Sequence, residues 1–163
     1  MTTSITMHYV DMPERINPSE IPILGFNMAY KFLSNFTPAR VTLDEKEYAS
    51  VEHAYQAAKT IHDVLRLEFR DPNMSVREAK TKGKRLPLRK DWEYVKVRIM
   101  YNLVKQKFQI PYYMVKLLET GDRKLIELNH WGDTFWGVTE QKGGLNMLGH
   151  ILMKVRSELR MEG

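Results

Sequence analysis

Glu52, Gln56 and Lys59 follow one another at intervals of four and three in the segment SVEHAYQAAK, residues 50–59. On a helix turning about 100° per residue they fall within roughly 60° of one another, a polar line beside an apolar stripe. Glu52 and Lys59 would then stand about 10 Å apart along the axis, too far for an easy mutual salt bridge but able to converge on one ligand in the groove. A carboxyl beside apolar surface has its protonated form favoured and suits a general acid or base. A partly desolvated lysine has its neutral form favoured and becomes a nucleophile toward a carbonyl or aldehyde. The alternative reading is a helix margin that simply faces water. His53, in the same segment, reads as a structural or supporting residue.

Three further segments carry polar or aromatic groups of interest. In FLSNF, residues 32–36, Asn35 offers a donor and an acceptor to a heterocycle edge and Phe36 a face for stacking, although a plain turn explains the segment equally well. In WGDTFWG, residues 131–137, Trp131 and Trp136 lie in a loop with Gly132 and Gly137, a composition that can wrap a flat base while Asp133 orients a hydroxyl or a water. A loop that plugs the core accounts for the same residues. The glycines of KGGLNMLGHILM precede a helix start, where backbone N–H groups attract phosphate, but the segment is neither a Walker loop nor a dinucleotide fingerprint.

The charge distribution points the same way. The chain has 163 residues and a formal charge of +5. Between Arg77 and Lys107 there are 11 basic residues against three acidic ones, a local +8 that leaves the remainder at −3. A basic segment on a slightly acidic body suits a phosphate-bearing ligand or a nucleic acid, and a solvated charged helix face is the other reading. Zero cysteine excludes a Cys nucleophile, a thiolate zinc site and an iron–sulfur cluster. The five histidines show no ligand spacing, so no metal is expected. No run approaches the roughly 18 apolar residues of a membrane span, and MTTSITMHYVDMPER lacks the pattern of a signal peptide. A cytoplasmic location and no membrane partner are therefore expected.

Positioning these groups falls to a helix-dominated α+β fold with a few short strands near the N-terminus, read as a single domain over 1–163. SITMHYV and IPILGF read as strands, and ARVTLDEKEYA as a hairpin turning at Asp44-Glu45. Val51, Ala54, Tyr55, Ala58, His62, Leu65 and Phe69 predict one helix from 51 to about 69, ended by Asp71-Pro72. Ser75 and Glu78 form a capping-box pattern opening a short helix that Gly83 stops. Asp91 is placed to cap a third helix, Pro111 opens a fourth closed by Gly121, and KLIELN reads as a strand. Leu145, Leu148, Leu152, Val155 and Leu159 mark the inner face of the last helix.

Taken in order, FLSNF, SVEHAYQAAK, REAKTKGKRLPLRKDWEYVKVRIM, the Lys107-Phe108 pair, LLETGDRKLIE, WGDTFWG and GGLNMLGHILMKVRSEL resemble the NADAR domain or YbiA-like family from Phe32 to Leu159. That resemblance implies an N-glycosidase working without metal or organic cofactor on a phosphorylated ribosyl-base or ADP-ribose-type substrate. Candidates are a phosphoribosylamino-pyrimidine intermediate of riboflavin synthesis and ADP-ribose attached to guanine, including ADP-ribosylated nucleic acid. Glu52 and Lys59 match the family's polar helix line, Asn35 and Phe36 its first loop, Trp92 its third-helix aromatic, and Trp131, Asp133 and Asn146 its last third. Lys59 is then expected to form a Schiff base at C1′ with Glu52 moving protons, or Glu52 to activate a water that attacks an oxocarbenium-like C1′ without a covalent lysine, and Trp131 or Trp136 to stack on the base. Arg85 and Lys96, within the basic segment, are expected to hold phosphate. Thr37 and Ala54 stand where the family often has aromatics, and WGDTFWG departs from the WGDG form of riboflavin-intermediate members, which favours ADP-ribosylated guanine or a related nucleotide. A non-catalytic ADP-ribose or nucleic-acid binding module would carry the same aromatics and basic patch.

Overall fold

The computed structural model describes residues 17–163. SITMHYV lies outside them. Of the remaining early strands, β1 is reduced to Ile23–Leu24, and FLSNF begins in a 3₁₀ turn over Met28–Leu33. The hairpin forms as β2, Val41–Leu43, and β3, Lys46–Tyr48, paired antiparallel. Asp44 and Glu45 both take left-handed backbone angles, φ 47° and 62°, the pair that a two-residue turn needs to match strand twist.

The helix expected over 51–69 is two helices. Ser50 caps α1, Val51–Ala57, by accepting the His53 N–H, and α2 follows only at Asp63–Glu68. Neither glycine nor proline interrupts the segment; outside partners take its carbonyls. Arg89 N–H donates to the Lys59 carbonyl at 2.7 Å and Arg66 Nε donates to the Thr60 carbonyl at 2.7 Å, so those acceptors are lost to a continuing helix. Every residue of α1 is buried, and Ala54, Ala57 and Ala58 keep its core side thin enough for close packing.

The capping box of Ser75 and Glu78 opens α3, Val76–Gly83, as expected. Asp91 stands before α4, Trp92–Gln109, but its carboxylate is given to Arg89, at 2.6 and 3.0 Å, and not to the helix N–H groups. Pro111 opens α5, Pro111–Glu119, and Gly121 follows it with a positive φ of 58°. KLIELN contributes β4, Leu125–Ile126, which lies parallel to β1, so the strands are not confined to the N-terminal third. The last helix, α6, spans Met147–Glu162; Leu145 lies before it and is exposed. Together α1, α4, α5 and α6 enclose the core, with Val51, Val104, Leu117, Leu125 and Leu152 fully shielded from water. No helix among the described residues is long and apolar enough to cross a membrane.

Candidate active site

Helix α1 brings the first carboxyl to the site. Glu52, 7% exposed, receives a hydrogen bond from Gln56 Nε2 to its Oε1 at 2.7 Å, one helical turn along. Burial raises the Glu52 carboxyl above the ordinary glutamate range, against the Gln56 hydrogen bond and the Lys80, Lys59 and His53 charges that lower it. Its backbone N–H donates to the Asn35 carbonyl at 3.2 Å, which ties the FLSNF loop to the start of α1. Because α1 ends at Ala57, Lys59 sits in the turn beyond it and not on the same helix edge. Burial lowers the Lys59 amine; the Glu52 charge raises it, and the Lys80 and Lys84 charges lower it further. The two groups of the polar line therefore feel each other, each with its neutral form favoured by burial. His53 is structural: its Nε2 donates to the Met74 carbonyl at 2.8 Å, which leaves Nδ1 to accept from Ser50 Oγ at 2.7 Å.

The aromatic loop is anchored to the same helix. Trp136 Nε1 donates to Tyr55 Oη at 3.1 Å, and the two rings meet edge to face with centroids 5.5 Å apart. Trp92, expected at the binding surface, lies on the inner side of this cluster, 5.2 Å from the Tyr55 ring and 5% exposed. Its apolar area is spent on the core, so it supports Tyr55 and offers no free face. Trp131 is different, at 62% exposure, with Gly132 beside it in a left-handed conformation. Asp133 Oδ1 accepts the Phe135 and Trp136 N–H groups at 3.0 and 2.9 Å, so this oxygen holds the loop's shape.

Two groups that the sequence reading passed over complete the site. The Lys80 ammonium, from α3, stands 5.0 Å from the centroid of Trp131 and 5.5 Å from that of Phe36, and its charge acts on Glu52, Lys59 and Glu127. A lysine over two aromatic faces is a favourable cation–π arrangement. Glu127 follows β4, and burial, with the Asp133 charge adding to it and Lys80 opposing, pushes its carboxyl up to about 7. Its Oε2 is shielded from solvent and has no hydrogen-bond partner among the described residues. Glu127 belongs to the segment LLETGDRKLIE, but as a residue at a strand end it carries no local mark of that environment.

The remaining expected residues are placed otherwise. Asn146, expected on the substrate, uses both ends of its amide on backbone: Oδ1 accepts Glu127 N–H and Nδ2 donates to the Leu125 carbonyl, both at 2.9 Å. It is a positioning residue for β4. Asn35 is 8% exposed and donates its Nδ2 to Met100 Sδ. Lys96 pairs with Glu93 and lies 4.0 Å from the Phe135 ring centroid, whereas Arg85 is exposed with no acidic partner among the described residues. The two clefts beside the β2–β3 hairpin, of about 330 and 400 Å³, include none of Glu52, Lys59, Lys80, Glu127 or Trp131. Among the described residues no cluster of His, Asp or Glu is arranged to hold a metal ion.

Residues 25–160 match the family model described as the NADAR domain. The chain is 38% identical over 137 residues to an N-glycosidase of Nostoc punctiforme, covering 80% of this chain and 86% of that protein. It is 32% identical over 165 residues to the chloroplastic riboflavin biosynthesis protein PYRR of Zea mays, covering 88% of this chain and 26% of that one. The NMR structure of the Escherichia coli protein YbiA superposes with a TM-score of 0.76 at 32% identity, over 88% of this chain and 87% of the other. The YbiA sequence, under the name N-glycosidase YbiA, is 34% identical over 137 residues, covering 82% and 84% of the two chains.

Proposed function

The chain belongs to the NADAR domain family, and on that premise we propose that it hydrolyses the bond between C1′ of a ribose and the nitrogen of a base. The relatives named N-glycosidases support the reaction class. The observation that carries the assignment to residues is Lys80, whose ammonium lies over the half-buried ring of Phe36 and the exposed ring of Trp131 and whose charge acts on both the Glu52 carboxyl and the Lys59 amine.

The chemistry follows from the environments. A base nitrogen bound to C1′ can open the ribose ring, with the ring oxygen leaving C1′ as a hydroxyl and a C1′–N imine forming. Lys59, whose neutral form burial favours, adds its Nζ to C1′, and the carboxyl of Glu52, whose protonated form burial favours, gives its proton to the departing base nitrogen. The C1′–N bond to the base breaks and an imine to Lys59 remains. Water then adds to C1′, Glu52 takes back a proton, and Lys59 leaves as the free amine while the ribose aldehyde recloses. One water is consumed and the protein returns unchanged. The base sits against Phe36 and Trp131, and Lys84 and Arg85 meet the phosphate. The substrate favoured is an ADP-ribosylated guanine or related nucleotide, with the phosphoribosylamino-pyrimidine as the second candidate.

The test is incubation with ADP-ribosylated guanosine, ADP-ribosylated DNA and phosphoribosylamino-pyrimidine, with mass detection of freed base and sugar. Borohydride should trap a sugar on Lys59, and Lys59→Arg should lose trapping and turnover together, since a guanidinium stays charged. Glu52→Gln should lose roughly 10² to 10⁴ in rate with the fold intact. Normal turnover by Lys59→Arg with a dead Glu52→Gln replaces the covalent route by attack of a Glu52-activated water. Release of base from none of the three substrates overturns the reading.

A further inference from the structure

Lys80 takes no part in the chemistry above, yet three segments meet at its ammonium. Helix α3 supplies the lysine, the FLSNF loop supplies Phe36 and the aromatic loop supplies Trp131. Its Nζ lies 5.5 Å from the centroid of the Phe36 ring and 5.0 Å from that of Trp131. Other lysines of the basic segment are neutralised, Lys82 by Glu68 and Lys96 by Glu93, but among the described residues no carboxylate pairs with Lys80. The contacts that hold its charge are ring faces, and these attract an ammonium less strongly than an anion does through a charge-assisted hydrogen bond.

That position has a steric consequence. A flat base that touches both Phe36 and Trp131 must enter the space that the two rings border, and the ammonium fills that space. Lys80 is only half-buried and its charge stands on a flexible four-carbon stem, so it can turn aside without moving α3. Lys84, four residues on and helical in its backbone angles, lies one turn along the same side of α3 and is exposed. An anion drawn to Lys84 is therefore on the side to which Lys80 can turn.

We propose that Lys80 makes entry of the base conditional on a phosphate: in the empty protein its ammonium occupies the gap between Phe36 and Trp131, and it yields that gap to the base by turning to the phosphate of the same ligand. The inference rests on the reading that a base lies against those two rings. It makes Lys80 a specificity-determining residue that favours nucleotides over nucleosides. A nucleoside must displace the ammonium and offers it nothing, whereas a nucleotide replaces two ring contacts by a stronger contact with an anion.

The test reads binding without turnover, by calorimetric titration of the full chain with GMP and with guanosine. The wild-type protein should bind GMP roughly tenfold or more tightly than guanosine. Lys80→Met keeps a long apolar stem and drops the charge. It should tighten guanosine about threefold, because the occupant is gone, and weaken GMP about threefold, so that the ratio falls roughly tenfold. Neither a structural lysine nor a fixed phosphate contact produces opposite shifts for the two ligands. Lys80→Arg, which keeps the cation, should retain most of the wild-type ratio, and Lys80→Gln replaces Lys80→Met, with the same expectation, if the latter does not fold. Guanosine affinity that is unchanged or weakened by loss of the charge overturns the proposal: weaker GMP alone makes Lys80 a fixed phosphate contact, and weaker binding of both makes it framework for the rings. Trp131→Ala tests the premise separately. If it leaves both affinities as they were, or if the wild type binds neither ligand, the base does not lie on these rings and the two readings fall together. If it weakens both ligands while Lys80→Met gives no opposite shifts, only the exchange fails. Opposite shifts in a chain that frees no base from any of the three candidate substrates sink the hydrolase reading and leave this one standing.

Discussion

Glu52 and Glu127 are held by burial in the same direction, and burial of a carboxyl has a consequence for stability as well as for chemistry. In the unfolded chain a glutamate titrates near 4.5, whereas folded Glu127 titrates at about 7. Between those values the folded state holds more protons than the unfolded one, so stability is full below about pH 4.5 and is lost as pH rises through 7. Glu127→Gln removes the ionisation, and its denaturant midpoint should fall less steeply than that of the wild type between pH 5 and pH 8. Parallel curves for the two proteins would show that the carboxyl is not confined as described. The tryptophans separate along the same line of burial. Trp131→Ala, at an exposed ring, should weaken substrate binding by about 1–3 kcal/mol with the melting temperature nearly unchanged. Trp92→Ala, at a buried ring, should instead cost about 3–5 kcal/mol of stability. A drop in melting temperature for Trp131→Ala would mark its ring as core filling.

At the scale of elements, the site depends on how closely α3 lies against α1. A Cβ on Gly83 would stand 1.8 Å from Gln56 Oε1 and 2.7 Å from its Cδ, so any larger residue drives Gln56 out of place. Gly83→Ala should therefore destabilise by about 1–3 kcal/mol and lower turnover by releasing the Gln56 amide from Glu52; full activity in this variant would show that the Gln56 hydrogen bond is dispensable. On the other side, α4 holds the FLSNF loop. Lys107 is fully buried and its Nζ donates to the Ser34 carbonyl at 2.7 Å and to Thr37 Oγ1 at 2.6 Å. Burial brings this amine down to about 7, from 10.5. The unfolded chain then binds more protons across that window, so the Lys107 contribution to stability grows as pH rises above 7 and is lost as pH falls through it. Lys107→Met should flatten stability against pH between 7 and 10; an unchanged slope would mean that the amine stays charged, held by the Phe108 and Tyr113 faces 5.2 and 4.6 Å away.

Across the whole molecule, the basic segment is less positive in effect than in composition. Lys82 pairs with Glu68, Arg89 with Asp91, Lys96 with Glu93, and Lys105 with Glu158 and Glu162. Among the described residues Arg77, Lys84, Arg85 and Lys90 are exposed without an acidic partner, and Lys84 acts electrostatically on Lys59. An anionic substrate should be drawn to this face, so KM should rise with added salt while kcat changes little. Arg85→Gln should raise KM roughly fivefold, about 1 kcal/mol of screened attraction, and Lys96→Gln by less, because Glu93 already neutralises that lysine. Equal effects from the two substitutions, or none with salt, would remove the phosphate role from this segment.

What the amino-acid sequence determines by itself is whatever rests on neighbours within a turn or two. The capping box at Ser75, the hairpin at Asp44-Glu45, the Pro111 and Gly121 boundaries of α5 and the polar line of Glu52 and Gln56 are all local geometry, and all are legible in the order of residues. The segments FLSNF and WGDTFWG stand out for the same reason, as compositions unusual for loops. Tertiary structure decided the rest. The helix after Ser50 stops early because Arg89 and Arg66, far along the chain or beyond the break, claim its carbonyls. Asn146 looks like a substrate ligand until β4 takes both ends of its amide. Lys80 reads as one more charge on a basic helix, and Glu127 as the polar end of a short strand. The setting of Glu127 comes from burial and that of Lys80 from aromatic rings contributed by segments about fifty residues away, and no local pattern records the dielectric that a fold builds around a side chain.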